Sequence, residues 1–406
     1  MSRLSSISRR ICAIVAGLVF FASGVLKLMD PVGSGLIVNE YFKFFHAGFL
    51  SGISLPAGFL VSLLEAVAGV ALVTGVYRKA AAVVTAAMMA FFTVLTALLW
   101  IFNPVMDCGC FGEAVHLTHA QSFLKNIVLI GLLCAAFLPL RESGGAPVRK
   151  KISFWVLSVS VLGAGLFSLM VHPMTDFTQF NLSSTLLAAG EETGAPEYVS
   201  LFIYEKNGEE GAFTLDSLPD STWIYVRTET SLKRDNIEET HYPELPVKDA
   251  EGNYRDSLAV GNRVLVVSSY RPDKFGAERW AHVADFIATA SGKGFSVLLL
   301  SATTPERFES MLPESLSEEQ RDCLMSSSYY SDYKTLIALN RSNGGAAYFH
   351  NGNLIERWAV HQLPGENRLQ RIVDRDTTEL MISSNTRSRL AFQAFFLYSV
   401  AIMLLL

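Results

Sequence analysis

Two cysteines one residue apart are the side chains of this 406-residue chain that point most directly to chemistry. They lie in the string Asp107-Cys108-Gly109-Cys110-Phe111-Gly112. Outside the cytoplasm such thiols can be oxidised, and Gly109 would ease the tight turn of a Cys-x-Cys disulfide ring. We expect so small a ring to be strained, and a strained disulfide is labile and competent in exchange. The string therefore predicts a redox dithiol that exchanges with another protein or with a membrane carrier, and the alternative is a pair that stays permanently bonded or reduced.

Two histidines that follow the string offer a second interpretation. With Cys108 and Cys110, His116 and His119 form a C-x-C-x5-H-x2-H array. Thiolates together with imidazoles suit zinc or copper(I). The spacing matches no zinc-finger pattern, and His119 could equally begin a helix that has Thr118 as its N-cap. A metal site is therefore kept as the weaker alternative, and no metal is assigned.

The composition favours a membrane protein with one large acidic segment. Half of the residues are hydrophobic, 17% are charged and the mean hydropathy is +0.31, which is more apolar than is usual for a soluble protein. Residues 172–387 contain 20 Lys and Arg against 32 Asp and Glu, whereas the rest of the chain contains 13 against 6. The acidic segment lacks the clustered basic residues that phosphate binding needs, so nucleic acid is excluded as a partner.

Five runs with few or no charges are long enough to cross about 30 Å of hydrocarbon. They are Ile11 to Leu28, Leu55 to Val76, Ala80 to Phe102, Ser122 to Leu140 and Ile152 to Val171. A sixth run, Leu390 to Leu406, is near the lower length limit for a crossing and is predicted to be a C-terminal anchor.

Basic residues in alternate connections set the predicted direction of these helices. The connections predicted to be cytoplasmic contain Arg3, Arg9, Arg10, Arg78, Lys79, Arg141, Arg149, Lys150 and Lys151. The opposite connections, 29–54 and 103–121, contain between them one basic residue, Lys43, and should face outward. Five crossings from a cytoplasmic N-terminus then place residues 172–387 outside, although Arg387 and Arg389 oppose this direction.

Two ionisable residues lie within the predicted crossings, where an unpaired charge is costly. Lys27 is near the outer end of the first helix and Glu65 lies inside the second, so the two could pair in the outer leaflet. For Lys27, snorkelling to the outer interface is an equally good interpretation. Glu65 lies too deep to snorkel easily, so we expect it to be paired or hydrogen-bonded, and a proton relay from it to the dithiol is a hypothesis.

The same residues carry a resemblance to a known family. The stretches Ser23-Gly24-Val25-Leu26-Lys27-Leu28-Met29-Asp30-Pro31 and Glu65-Ala66-Val67-Ala68-Gly69-Val70-Ala71-Leu72, with Cys108 to Gly112, resemble the DoxX/MauE group of four-helix membrane proteins over residues 9–140. The Cys-x-Cys-Phe-Gly string is similar to the MauE-like branch, which the family links to disulfide formation during methylamine dehydrogenase maturation. The resemblance implies thiol redox chemistry at Cys108 and Cys110, with Lys27 and Glu65 as supporting polar residues. Nothing in the chain indicates methylamine as a substrate.

The acidic segment is predicted to begin with a β-rich lead-in, residues 172–246, that contains a hairpin from Glu197 to Leu215 and a strand from Trp223 to Thr228. A small α/β unit follows in residues 247–362. Its predicted elements are strand Arg263 to Ser268, helix Ala277 to Ala290, strand Phe295 to Ser301, helix Pro313 to Ser326, and strands Ala346 to Phe349 and Leu354 to Trp358. Asn351-Gly352 indicates a tight hairpin between the last two strands.

The order of these elements resembles the thioredoxin superfamily, in particular membrane-tethered relatives outside the cytoplasm. The Cys-x-x-Cys of that family is missing, because the loop after the first strand reads Ser268-Ser269-Tyr270-Arg271-Pro272-Asp273. Asn343-Gly344-Gly345 stands where a cis-proline is expected. The resemblance implies a thioredoxin-like domain without dithiol activity that holds a partner near the Cys108 loop. Cys323, its one thiol, is a candidate for a mixed disulfide with Cys108 or Cys110, although most lone cysteines are inert.

These observations predict a membrane α-helical bundle with an extracytoplasmic α/β thioredoxin-like domain. The predicted divisions are the four-helix domain at 1–140, a cytoplasmic linker with the fifth helix at 141–171, the β-rich lead-in at 172–246, the thioredoxin-like domain at 247–362, a juxtamembrane connector at 363–389 and the anchor at 390–406. We expect a multi-pass protein of the bacterial inner membrane with residues 172–387 in the periplasm. Its predicted role is thiol-disulfide exchange with an envelope protein, and a quinone-like carrier is the candidate cofactor. The alternative is a non-catalytic membrane scaffold or a metal-binding envelope protein with structural cysteines.

Overall fold

Helices form the first part of the described chain, and two sheets with further helices form the second. The computed structural model describes residues 3–104, 108–115, 117–138, 146–170, 177–182, 184–186, 198–206, 209–214, 218–220, 222–232 and 243–404. The chain divides into two compact units, Met1–Thr175 with Arg389–Leu406, and Asp176–Ser388.

The helices of the first unit cover most of the five predicted apolar runs. They are α1 (Arg3–Met29), α2 (Pro31–Phe44), α3 (Ser54–Thr74), α4 (Arg78–Phe102), α5 (His119–Phe137) and α6 (Val148–Met170), with a 3₁₀ turn at Gly48–Ile53. In the described chain, five helical spans are long and apolar enough to cross a membrane: α1, α3 with its preceding turn, α4, α5 and α6. Large apolar side chains such as Phe91, Leu124 and Trp155 are more than half exposed on these helices. Such a surface suits contact with lipid.

Helix α2 lies in the connection 29–54, where the sequence predicted no helix. The Asp30 side chain accepts a hydrogen bond from the Gly33 backbone N–H, 3.0 Å away, and Pro31 occupies the first turn. Both features start a helix, because an N-cap carboxylate satisfies a free N–H and proline needs no N–H partner there. At 14 residues α2 is too short to cross a membrane, so the length of apolar runs does not predict it.

Small residues bring α1 and α3 close together. A Cβ atom added to Gly24 would lie 2.4 Å from the backbone nitrogen of Ala66, and one added to Gly69 would lie 2.4 Å from that of Phe21. Glycine permits this distance between backbones, as at other helix contacts in membranes. The contact brings the Lys27 end of α1 beside Glu65 on α3.

Arginine side chains bind helix carbonyls at one end of the bundle. Arg10 Nη1 donates to Leu72 O at the end of α3, over 3.0 Å. Arg9 Nε and Arg78 Nη2 both donate to Ala136 O at the end of α5, over 3.1 and 3.2 Å. A cation stabilises the carbonyl end of a helix. Two basic segments that the sequence assigned to one side of the membrane therefore meet at one end of the bundle.

The C-terminal segment differs from its prediction. A single helix, α12, runs from Thr377 to Leu404, so the structure has no break between a juxtamembrane connector and an anchor in the described residues of that stretch. Its apolar part, Gln393–Ile402, is shorter than a crossing requires. Tyr398 Oη lies 3.1 Å from Ser160 Oγ on α6, which joins this part of α12 to the bundle. The sixth crossing stays a prediction.

The second unit contains two sheets in the residues that the structure describes. The first has the antiparallel order β3-β2-β4, with β2 at Tyr198–Lys206, β3 at Glu209–Thr214 and β4 at Ile224–Leu232. The pairing of Lys206 with Glu209 confirms the predicted hairpin. The second sheet has the order β7-β6-β5-β8-β9 and is mixed: β5, β6 and β7 are parallel, and β8 and β9 are antiparallel to their neighbours.

The elements around the mixed sheet agree with most of the predicted α/β pattern. Its strands are β5 (Val264–Ser269), β6 (Ser296–Ser301), β7 (Ser328–Tyr330), β8 (Gly345–His350) and β9 (Asn353–Trp358). Its helices are α7 (Ala277–Gly292), α8 (Pro305–Met311), α9 (Glu318–Ser326), α10 (Tyr333–Leu339) and α11 (Glu366–Asp374). Trp280 packs between Phe275 and Phe308 in the core on one side of the sheet. Asn351 and Gly352 both have positive φ, which confirms the tight hairpin turn.

One predicted helix in this unit needs correction, and several elements add to the predicted set. The helix predicted from Pro313 begins at Glu318, because Ser317 and Gln320 form a capping box there. The short elements β7 and α10 were not predicted. The connector 363–389 contains α11 and the first turns of α12.

Candidate functional site

The two thiols of the Cys-x-Cys string lie side by side. Cys108 and Cys110 are free cysteines with their sulfurs 3.3 Å apart. Cys108 is buried, with 6% of its surface exposed, whereas Cys110 is partly exposed. Cys110 begins the short strand β1 (Cys110–Glu113). The pair is therefore close enough to form a disulfide after a small rotation of either side chain.

Hydrogen bonds from two helices fix the backbone of this loop. Tyr41 Oη on α2 donates to Cys108 O, and Ser23 Oγ on α1 donates to Cys110 O over 2.6 Å. Gly109, between the thiols, has φ +61°, and a Cβ there would meet the Ile37 side chain at 2.5 Å. A residue with a side chain would be strained at this position and would also collide with α2. The sequence predicted the relaxed turn at Gly109, and the structure adds the close contact with α2.

Lys27 and Glu65 form a buried ion pair. Lys27 Nζ lies 2.6 Å from Glu65 Oε2, and their side chains are 11% and 8% exposed. Lys27 also lies over the Phe92 ring of α4, 5.5 Å from its centroid, and its Cγ would be 3.5 Å from a Cβ on Gly112. The predicted pair is therefore present, and its lysine reaches the strand that follows the dithiol. The Lys27 side chain is buried beside Glu65 and does not extend to water, as snorkelling would require.

The first turns of α5 supply the other side of the site. Thr118 and Gln121 form the capping box that starts this helix. Ser122 is fully buried, and its Oγ has no hydrogen-bond partner among the described residues. Lys125 Nζ lies 5.0 Å from the centroid of the Phe111 ring, directly after Cys110. Further along, Asn126 Nδ2 donates to Thr96 Oγ1 over 3.2 Å.

The two thiols differ in pKa because they share a hydrogen bond. That bond lowers the pKa of Cys110 to about 5 and raises the pKa of Cys108. Burial opposes the lowering at Cys110 and adds to the rise at Cys108. Lys125, the Ser122 hydroxyl and Lys27 lower the pKa of Cys110 further. The pair can therefore hold one thiolate and one thiol at neutral pH.

The residues of the metal alternative do not form a recognisable centre in the described structure. His119 begins α5, and its Nε2 lies 3.2 Å from Pro104 O. His116 lies outside the described residues. Among the described residues, no three His, Cys, Asp or Glu side chains are grouped as metal ligands. The predicted helix start at Thr118 is confirmed.

The remaining cysteines have other surroundings. Cys323 is partly buried against α7, and its Sγ lies 3.8 Å from Ala284 O. Burial and then Asp285 raise its pKa. Cys12 is partly buried on α1, and Cys134 is exposed on α5.

The loop in the second unit that lacks the Cys-x-x-Cys motif is tied to the segment before β8. Arg271 N donates to Asn343 Oδ1 over 3.0 Å, and Asn343 Nδ2 donates back to Arg271 O over 2.8 Å. Ser268 Oγ donates to Leu336 O over 2.8 Å. Polar side chains at this loop thus form hydrogen bonds with backbone atoms and help to hold the loop in place.

Tyr41, Ser23, Ser122 and Lys125 belong to the candidate site, yet they were not singled out from the sequence. Ser23 starts the motif that contains Lys27. Ser122 and Lys125 are three residues apart, which places them on one face of α5. Tyr41 had no local signal, because it reaches the loop through a helix that was not predicted.

Comparison with known proteins supports part of this description. Residues 4–139 match the family of the methylamine utilisation protein MauE, and residues 198–235 match a domain of unknown function, DUF8463. Protein TlpB of Flavobacterium psychrophilum is 26% identical over 168 residues, which are 40% of this chain and 41% of that protein. The match thus spans less than half of that relative. No solved structure matches the chain. The chain is a multi-pass membrane protein with a MauE-like membrane domain in residues 4–139 and a mixed sheet in its C-terminal part.

Proposed function

We propose that this chain carries out thiol-disulfide exchange through Cys108 and Cys110 at the outer face of a bacterial inner membrane. The observation that carries the proposal is the pair of free sulfurs 3.3 Å apart on a loop that two helices hold by hydrogen bonds. An inert structural pair needs neither a stabilised thiolate nor a partly exposed sulfur. The match of residues 4–139 to MauE also favours a role in thiol chemistry.

The proposed reaction transfers two electrons between dithiols and disulfides. In one direction, the two thiols reduce a disulfide of an envelope protein: one sulfur forms a mixed disulfide and expels a partner thiolate. The second sulfur then breaks the mixed bond, forms the Cys108–Cys110 disulfide and releases the second partner thiol. The two protons of the dithiol end on the two partner thiols. The opposite direction follows the same steps in reverse.

The predicted direction of the helices supports an outer-face location. Arg9, Arg10 and Arg78 lie together at one end of the bundle, and positive residues favour the cytoplasmic side. The dithiol loop follows the opposite end of α4, so it would face the periplasm, as is predicted for residues 172–387. Disulfides form and persist in that compartment.

The second unit is proposed to hold the partner protein. The order β7-β6-β5-β8-β9, with a helix after β5 and a hairpin at the end, suits the predicted thioredoxin-like domain. Its loop at 268–273 has no cysteine, so the unit would bind the partner and leave the chemistry to the bundle. A mixed disulfide that includes Cys323 belongs to the same proposal.

A membrane carrier is the proposed second electron partner. The Lys27–Glu65 pair provides polar groups inside the bundle, close to the strand that follows Cys110. A quinone-like molecule could use such groups for hydrogen bonds while its apolar part stays in lipid.

Trapping of the thiols by alkylation in cells tests this proposal. We expect the Cys108–Cys110 pair to change between dithiol and disulfide when the oxidant supply is changed. Serine at either position should abolish exchange between the purified protein and a disulfide-bonded model peptide, whereas Cys134→Ser, on a membrane helix, should retain it. A pair that stays in one state under every condition would contradict the proposal, and retained biological function in both serine variants would favour the scaffold alternative.

A further inference from the structure

We propose that Cys110 is the sulfur that forms the mixed disulfide, that Cys108 resolves it, and that Ser122 and Lys125 of α5 stabilise the Cys110 thiolate. This inference rests on the proposed thiol-disulfide exchange and adds the order of events within the pair. It also gives a role to two side chains that neither the resemblance nor the sequence motifs select.

Exposure distinguishes the two sulfurs. Cys108 is 6% exposed, and its carbonyl is held by Tyr41 from α2. Cys110 is partly exposed at the start of β1. A disulfide of a folded partner must approach the attacking sulfur in line with its own S–S bond, so it needs the accessible thiol. Cys110, with the larger exposed surface, meets this requirement better than Cys108.

The Ser122 hydroxyl is placed to bind the thiolate. Serine in a helix often donates to a carbonyl one turn earlier, but among the described residues Ser122 Oγ has no such acceptor, although the residue is fully buried. A buried donor without a partner is costly. As a hydrogen-bond donor to the thiolate form, the Ser122 hydroxyl lowers the pKa of each of the two thiols. A thiolate at Cys110 would accept its hydrogen bond.

Lys125 contributes charge on the same face of α5. It lies over the Phe111 ring, next to Cys110 in the chain, and among the charged groups it has the largest effect in lowering the pKa of Cys110. Lys27 on α1, which is paired with Glu65 on α3, adds a smaller effect.

Acidic residues also lie on the elements that hold the pair, and they act against the lysines on the pKa of Cys110. Glu113 is on the strand of Cys110, and Glu40 is on α2 beside Tyr41, whose raised pKa keeps its phenol neutral. The net effect of all groups still lowers the pKa of Cys110, with the Cys108 hydrogen bond as the largest cause. The thiolate is therefore supported from α1, from α5 and from its own neighbour in the loop.

The order of bonds follows from this assignment. The Cys110 thiolate attacks the partner disulfide, a bond from Cys110 Sγ to one partner sulfur forms, and the other partner sulfur leaves and takes a proton. Cys108 then loses its proton and attacks Cys110 Sγ, and the first partner sulfur leaves as the second thiol. In the reverse direction a partner thiolate attacks Cys110 Sγ, and Cys108 is the leaving group.

Mapping of the mixed disulfide tests the order. Full-length protein with Cys108→Ser should accumulate a mixed disulfide between Cys110 and a disulfide-bonded model peptide, found by mass spectrometry of the linked fragments. Cys110→Ser should accumulate at least about ten times less, because Cys108 is 6% exposed and its burial, which the substitution leaves in place, raises the pKa of its thiol. Equal trapping, or more trapping at Cys108, would overturn the assignment.

The pH dependence of Cys110 alkylation tests the roles of Ser122 and Lys125. In the reduced protein, the pH at which Cys110 alkylation reaches half of its maximal rate should be about 5. This midpoint should rise by about one pH unit in Ser122→Ala and by about half a unit or more in Lys125→Met. Lys125→Arg should restore the midpoint. Matched controls are Ser158→Ala, a buried serine of α6, and Lys79→Met, at the other end of α4, and neither should move it. Unchanged midpoints in Ser122→Ala and Lys125→Met, or equal shifts in the controls, would overturn these roles.

The two proposals fail in different ways. If exchange with the peptide occurs but the linked fragment contains Cys108, the order is wrong and the proposed function stands. If neither cysteine forms a mixed disulfide, although Cys110 is alkylated at low pH, the proposed function fails and the electrostatic assignment stands.

Discussion

Cys110 in the helical bundle and Cys323 in the α/β unit are both partly buried thiols, yet charge acts on them in opposite directions. A neighbouring thiol, Lys125 and Lys27 favour the thiolate of Cys110. Burial against α7 and the carboxylate of Asp285 disfavour that of Cys323. The thiolate is the nucleophile in disulfide exchange, so the two sites differ in their capacity for that chemistry. The local surroundings of a thiol therefore decide its capacity for disulfide exchange, whichever unit contains it.

The two units also differ in how they use ion pairs. Lys27 and Glu65 are almost fully buried in the bundle, whereas Arg368 and Glu356, 2.5 Å apart in the α/β unit, are 43% and 28% exposed. A buried charge that loses its partner is expensive, whereas an exposed one is hydrated. The bundle therefore depends on its polar residues more strongly than the α/β unit does.

The largest expected effect is a change with pH in the relative reactivity of the two cysteines. Cys110, with a pKa of about 5, is already mostly thiolate at pH 6, whereas Cys323, whose pKa is raised by burial and by Asp285, gains most of its thiolate only at higher pH. Cys110 loses intrinsic nucleophilicity because its pKa is low, but this factor and the accessibility of each thiol are the same at both pH values. The ratio of the Cys110 to the Cys323 alkylation rate, measured by mass spectrometry on the reduced protein, should fall by about a hundred-fold or more between pH 6 and pH 9, because a thiol with the ordinary pKa of about 8.5 or a higher one gains at least that much thiolate over this range. A ratio that stays constant would remove the contrast between the two sites.

Loss of a carboxylate should separate the two ion pairs next. Glu65→Leu leaves the Lys27 ammonium buried and unpaired, and should lower the free energy of unfolding by about 3–5 kcal/mol. Glu356→Leu should cost at most about 1 kcal/mol, because Arg368 stays partly hydrated. Thermal unfolding in detergent micelles measures both effects. The double variant Lys27→Met with Glu65→Leu should recover most of the loss, and failure to recover would mean that packing at position 65, not charge, causes it.

Local patterns in the sequence were sufficient for much of the fold. The five apolar runs became helices because hydrocarbon leaves backbone groups no other partner than the helix itself. Asn351-Gly352 predicted a hairpin because both residues readily take positive φ. Helix α2 was not predicted, although its start signal at Asp30-Pro31 is local, because the prediction of helices rested on the length of apolar runs.

The candidate site was predictable only where its residues are neighbours in the chain. The pairing of Cys108 with Cys110 needed no more than their spacing and a glycine between them. Tyr41 contacts Cys108 across 67 residues, and Ser23 contacts Cys110 across 87. No periodicity encodes such contacts, because they depend on how α1 and α2 pack against the loop. Lys27 and Glu65, 38 residues apart, were foreseen only because a charge inside a crossing demands a partner.

The smallest expected effect concerns two tyrosines that make the same kind of bond in the two units. Tyr41 Oη donates to Cys108 O, and Tyr270 Oη donates to Arg341 O over 2.8 Å. Burial raises the pKa of both phenols, so both stay protonated and keep donating at neutral pH. Phenylalanine at either position removes one hydrogen bond, which should cost about 0.5–1.5 kcal/mol of stability in each case.

Only the change at position 41 should reach the dithiol. Without its hydrogen bond the loop holds the two thiols together less closely, so the equilibrium for forming the Cys108–Cys110 disulfide should become about two- to ten-fold less favourable in Tyr41→Phe. Equilibration in a glutathione redox buffer, followed by alkylation of the remaining thiols, measures this constant. Tyr270→Phe should leave it unchanged although it is destabilised to the same extent. An equal shift in both variants would mean that the constant follows general stability, and the hydrogen bond from α2 would then have no specific effect on the dithiol.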